Sequence, residues 1–128
     1  MALAILLSGL AASMTDWFFF GVLFHDKCLV YPEIWRQGPG GEGRAVVWSI
    51  LLGFVTCGGL VFTCSALQVH GYAAAIALAA AIWATAVLPL LISNALFIKL
   101  HPLTVVSHSL GWLAKLLLAA GAVGWLAG

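Results

Sequence analysis

The chain has 128 residues, of which 64% are hydrophobic and only 7% charged, with a mean hydropathy of +1.15. Soluble domains carry about 25% charged residues, so this chain lacks the polar coat that a water-soluble enzyme or a disordered tail requires. Its net charge of +1 also excludes a nucleic-acid binder, whose affinity rests on clustered Lys and Arg.

What remains is a multi-pass membrane protein. A span needs roughly 20 predominantly apolar residues to cross about 30 Å of hydrocarbon, and four stretches qualify. Span one runs from Ala2 to Phe24 and carries one charge, Asp16. Span two, Ala45 to Leu67, has none. Span three, Tyr72 to Leu100, contains Pro89 and has Lys99 near its end. Span four, Leu103 to Leu126, contains His108 and Lys115. Each is a continuous apolar run without period-two alternation, which selects helices over barrel strands. The fold class is therefore all-α: a single-domain bundle of four transmembrane helices covering 1–128. The small residues at Leu10-Ala-Ala-Ser13 resemble a cleavage site, but no Lys or Arg precedes them and the apolar run continues to Phe24. That pattern is expected of a retained span.

The connections are unequal. Gln68–Gly71 and Leu100–Pro102 are short, so spans two and three, and spans three and four, are expected to be antiparallel neighbours. The loop 25–44 is longer. Its Cys28–Arg36 half suits the headgroup level, and its Gly38–Gly43 half reads as a linker. Lys27, Arg36, Arg44 and Lys99 all fall on the side of this loop, whereas the other side has no Lys or Arg. The positive-inside rule then makes the loop cytoplasmic and places both termini on the outer side.

Ionisable groups at bilayer depth are costly and face a protein interior, a partner or a water-filled cavity. At a rise of about 1.5 Å per residue, Asp16 lies about 12 Å from the loop-side end of its span, His108 about 8 Å and Lys115 about 18 Å. Helical side chains lean toward the N-terminus, so Asp16 and Lys115 lean toward each other from antiparallel helices. An Asp16–Lys115 ion pair between spans one and four is expected, either fixing register or taking part in proton handling or ligand contact. His101, His108 and Lys115 recur at intervals of seven along span four. With Ser93 and Asn94 of span three and Thr104, they predict a polar zone between spans one, three and four.

Other features carry less chemistry. His25, Asp26 and His101 offer metal-ligand atoms on one membrane side, but no short ligand motif accompanies them, and interfacial histidines are the plainer reading. Cys57 and Cys64 are too far apart on one helix for a disulfide and read as small packing residues. Pro89 is expected to free the carbonyl of Thr85 and bend span three. On span two, Ser49, Gly53, Thr56, Gly59 or Leu60, and Thr63 form a small-residue packing face. Tyr31, Trp35, Trp48, Tyr72 and Trp125 read as interface anchors, while Trp17, Trp83 and Trp112 lie deeper, between helices or against lipid or a cofactor.

The segments Thr15-Asp-Trp-Phe-Phe-Phe-Gly-Val-Leu-Phe24, Ile82-Trp83, Ser93-Asn-Ala-Leu-Phe97, His108-Ser-Leu-Gly-Trp112 and Gly124-Trp125 together resemble the short bacterial four-helix membrane proteins grouped as domain of unknown function 1761. The resemblance spans nearly the whole chain and rests on order, length and a few aromatic, Gly and Asn positions. It implies the four-helix fold and a bacterial inner-membrane location. Family members often have a second aromatic where Phe18 stands and no acid matching Asp16, so the resemblance lends Asp16 no functional role.

Three functions compete at this stage. The first is a non-enzymatic accessory subunit of a membrane complex, or a helix-packing oligomer with an intramembrane polar site, with bound lipid and no catalytic residue. The second is a proton-coupled transporter of a small or lipophilic solute; a lysine beside Asp16 counts against it, because a neighbouring cation stabilises the charged carboxylate. The third is a membrane enzyme acting on lipid, with His101 or His108 as acid–base, for which no nucleophile–base constellation is visible.

Overall fold

The computed structural model of the protein describes residues 1–23, 30 and 41–127, and every regular element among them is helical. Four helical stretches are long and apolar enough to cross a membrane. Span one is an α-helix over Ala2–Asp16 that continues as a π-helical segment, Trp17–Leu23; Phe24 lies outside the described residues. Span two is Gly41–Ala66 and span four is Pro102–Ala127. Span three is built from Tyr72–Ile82, a π-helical Trp83–Val87, and Leu88–Phe97.

Three features differ from the sequence expectation. Span two begins at Gly41, one turn ahead of its apolar run, so part of the expected linker and Arg44 are helical; once a helix is nucleated, adding a residue costs little. Span three ends at Phe97 rather than Leu100, because the backbone leaves the helix at Ile98 (φ −115°) and Lys99 is left-handed (φ 55°). The third difference concerns Pro89, near the start of the helix Leu88–Phe97. The helix does not simply lose a bond there. It widens into the π-turn Trp83–Val87, which contains Thr85, the residue whose carbonyl Pro89 cannot serve and would crowd.

Spans one and two run antiparallel. Their contacts step in opposite directions along the chain: Ile5 against Gly58, Gly9 against Phe54, Ala12 against Gly53 and Asp16 against Ser49. Close approach depends on missing side chains, since a Cβ at Gly9 would fall within the Phe54 ring. Span four is the centre of the bundle, packing against all three other spans. Span three packs on span four, with Trp83 Nε1 donating to the carbonyl of Ser109 at 2.9 Å and the ring of Tyr72 filling the space over Gly124.

Spans two and three make little contact along their lengths despite their short connection, which corrects the expected neighbour pair. The turn between them, with Gln68 (φ 54°) and Gly71 (φ 79°) both left-handed, carries the chain to the far side of span four.

The core is made of small side chains. Ala4, Ala12, Cys57, Cys64, Ala75, Ala79, Ala119 and Ala120 are buried, and the largest fully buried side chains are Cys57, Cys64 and Ser107. In lipid, where apolar bulk gains nothing by leaving the solvent, backbones that approach closely supply the packing energy. The large residues, such as Leu51, Val55, Phe62 and Leu90, point outward. On span two the buried face is Gly53, Cys57, Leu60, Val61 and Cys64, whereas Gly59 is exposed and Thr56 and Thr63 are half-buried. Both cysteines are free. The hydroxyls of Ser8, Ser13, Thr15, Thr56, Thr63 and Thr85 donate to carbonyls of their own helices, which hides their polarity without a partner helix.

Candidate functional site

The inward stripe of span one is Ala4, Ser8, Ala12 and Asp16, each four residues after the last, with Gly9 beside it. Three members are small, so the helices close tightly, and the fourth places a carboxylate between spans one, two and four. Lys115 lies on the buried face of span four, just before Leu116 and one turn before Ala119. Its Nζ stands 2.8 Å from Asp16 Oδ2, and the exposed fractions of the two side chains are 10% for Lys115 and 9% for Asp16. The expected partners are thus in contact, reaching each other from antiparallel helices as the lean of their side chains requires.

A third helix joins them. Ser49 of span two donates its hydroxyl to the same Asp16 Oδ2 at 2.9 Å. Lys115 Nζ also lies 5.7 Å from the centroid of the Trp112 ring, within cation–π range. One acid and one base leave the cluster formally neutral. Hydrogen bonds from the partner charge and the serine are what make burial of such a pair tolerable. Asp16 Oδ1, by contrast, is buried and has no hydrogen-bond partner among the described residues.

Beside the pair lies an open cleft of about 250 Å³. Its lining combines the polar Asp16, Ser49, Thr56, His108 and Lys115 with Trp48, Leu52 and Trp112, and Ala45 and Gly111 complete it. Trp48 and Leu52 are more than half exposed, at 60% and 54%, so the rim faces the surroundings of span two. The cleft is amphipathic and opens from the side of the bundle.

This location corrects the expected polar zone. The third wall is span two, not span three. Ser93 is exposed and Asn94 half-buried, and neither lines the cleft, because span four stands between span three and the ion pair. His101 does not reach it either: its Nδ1 accepts the backbone N–H of Leu103 at 3.1 Å, serving the first turn of span four. Thr104 Oγ1 is buried without a partner among the described residues, away from the cleft lining. Seven residues fall about 20° short of two full helical turns, so a heptad stripe drifts around the helix. Only His108 and Lys115 of the predicted stripe line the cleft, with Gly111 between them.

His25 and Asp26 lie outside the described residues, as do Cys28, Tyr31 and Trp35. Among the described residues no group of three or more His, Cys, Asp or Glu is placed to hold a metal ion. Of the deep tryptophans, Trp17 is exposed, Trp83 joins spans three and four, and Trp112 stands beside Lys115.

Sequence reasoning missed Ser49 as a polar partner. It reads as one more small residue on a packing helix, and nothing local separates it from Thr56 or Thr63, whose hydroxyls bond their own helix. Trp48 reads as an interfacial anchor and also forms the cleft rim. No protein-family model, no curated protein and no solved structure matches the chain.

Proposed function

We propose that the chain is a non-enzymatic multi-pass membrane protein that holds the polar end of an amphipathic, lipid-class molecule in the cleft beside Asp16 and Lys115, acting as a subunit of a larger membrane assembly or of an oligomer of itself. The observation that carries this reading is the lining: charged, imidazole and hydroxyl groups beside indole rings and a leucine, within helices long and apolar enough to cross a membrane. A soluble ligand has no need of such an arrangement. A bilayer molecule entering sideways meets apolar surface first and polar groups last.

The distribution of Lys27, Arg36, Arg44 and Lys99 supports a cytoplasmic placement of the end bearing residues 24–40, with both termini outside. Together with the resemblance to the family of domain of unknown function 1761, it supports a bacterial inner membrane. The transporter reading is weaker, because Lys115 and Ser49 both engage the one carboxylate that lines the cleft among the described residues. An enzymatic reading would make Ser49 the reacting hydroxyl, and the carboxylate to which it donates is already engaged by Lys115 at 2.8 Å.

The test is native mass spectrometry of the full chain released from mild detergent. Retained lipid-sized mass is expected, lost in Leu52→Trp, which fills the cleft while leaving both charged residues in the chain. A chain that carries no such mass, or carries it equally in both forms, contradicts the proposal. The same spectrum reads the number of copies and any stable partner subunit.

A further inference from the structure

The charge and hydrogen-bonding inventory of the cleft narrows its occupant further, provided that an amphipathic molecule occupies it as argued above. The cluster already contains its own counter-ion. Asp16 and Lys115 neutralise each other at 2.8 Å, and no second acid or base of the described residues lines the cleft apart from His108. A cationic headgroup would meet a lysine without a spare carboxylate, and an anionic one would bring a second negative charge beside Asp16 for the one ammonium. Either would leave a net charge in a medium where unpaired charge is expensive.

What Asp16 lacks is a donor to its second oxygen. Lys115 and Ser49 both point at Oδ2, while Oδ1 of a side chain nine-tenths buried has no partner among the described residues. A buried acceptor on a charged group left without a hydrogen bond is costly. Asp16 lines the cleft, and the terminal torsion of an aspartate is broad and roughly two-fold. Turning about that torsion presents Oδ1 to a guest, and the long, flexible Lys115 side chain follows Oδ2 as it moves. The volume of about 250 Å³ is below the roughly 300–1,000 Å³ of a pocket that encloses a whole ligand. It suits a compact head whose apolar remainder stays outside, against Trp48 and Leu52.

We propose that the cleft selects an uncharged lipid bearing a free hydroxyl, which donates to Asp16 Oδ1 while its chains lie along the outer face of span two. Binding is non-covalent and requires no proton transfer.

The experiment places the full chain in nanodiscs doped equally with dioleoylglycerol, its 3-acetyl ester and dioleoylphosphatidylglycerol, and reads co-purifying lipid by native mass spectrometry. The free alcohol is expected to exceed the ester by about tenfold, the factor that one hydrogen bond to a charged acceptor supplies. It should also exceed the anionic lipid. The preference should vanish in Asp16→Leu/Lys115→Met, which removes both charges together, and retention should vanish in Leu52→Trp. Excess glycerol in the water should leave the bound lipid in place; displacement by glycerol would assign the site to a soluble polyol and overturn the lipid claim. Equal retention of alcohol and ester, or preference for the anionic lipid, overturns this inference while leaving the amphiphile site intact. Retention of none of the three, or retention unchanged by Leu52→Trp, overturns both. Should the doubly substituted chain fail to fold, the alcohol-to-ester ratio and Leu52→Trp decide the matter alone.

Discussion

Removing one charge of the central pair should damage the bundle far more than removing both. In Lys115→Met the carboxylate of Asp16 keeps only Ser49, and in Asp16→Leu the ammonium keeps only the Trp112 face. With both side chains about nine-tenths buried, each single substitution falls in the class of broken buried pairs, at a cost of about 3–5 kcal/mol. The double substitution replaces the pair by apolar side chains of similar length. Such replacements range from neutral to stabilising in buried sites, and here the lost Ser49 bond to Asp16 leaves a residual cost of about 1 kcal/mol. The coupling energy is therefore several kcal/mol and opposite in sign to the single losses. Unfolding curves of the four forms in mixed micelles measure it directly, and Ser49→Ala added to the cycle apportions the third helix. If the double substitution costs as much as the two singles together, the pair contributes no coupling and the electrostatic account is wrong.

Two further predictions concern packing. Gly9→Val drives side-chain atoms into the Phe54 ring and should destabilise the contact between spans one and two by about 1–3 kcal/mol; Phe54→Ala in the same chain should recover part of that loss in a thermal melt. Trp83→Phe keeps the ring but deletes the donor to the Ser109 carbonyl, so a loss of about 1 kcal/mol is expected, with faster hydrogen exchange in span three than in span one.

The sequence was most readable where one physical quantity decided the outcome. Hydropathy over a fixed thickness located four spans, and the lean of helical side chains combined with depth paired Asp16 with Lys115. Neither step needs knowledge of which helices touch. The third wall of the site did need it. Loop length argued for span three beside span two, yet Ala75, Ala79 and Trp83 bring span three onto span four instead, and Ser93 and Asn94 go with it. Ser49 was illegible for a related reason: a helical serine is satisfied by its own backbone unless a neighbour offers something better, and the neighbour is set by the fold. Pro89 shows a local limit. The missing N–H is plain in the sequence, but the π-turn at Trp83–Val87 that accommodates it depends on packing beyond the residue itself.

The central claim is that a carboxylate of span one and an ammonium of span four meet inside the bilayer, at the edge of a cleft. Solid-state NMR of the full chain in lipid, with 13C in the Asp16 carboxyl group and 15N at Lys115 Nζ, reads that meeting as a dipolar coupling. Strong dephasing, as from two groups in direct hydrogen-bonded contact, is the expected result. Absence of coupling while the four helices remain intact would show that the charges sit on separate surfaces, and the site described here would not exist.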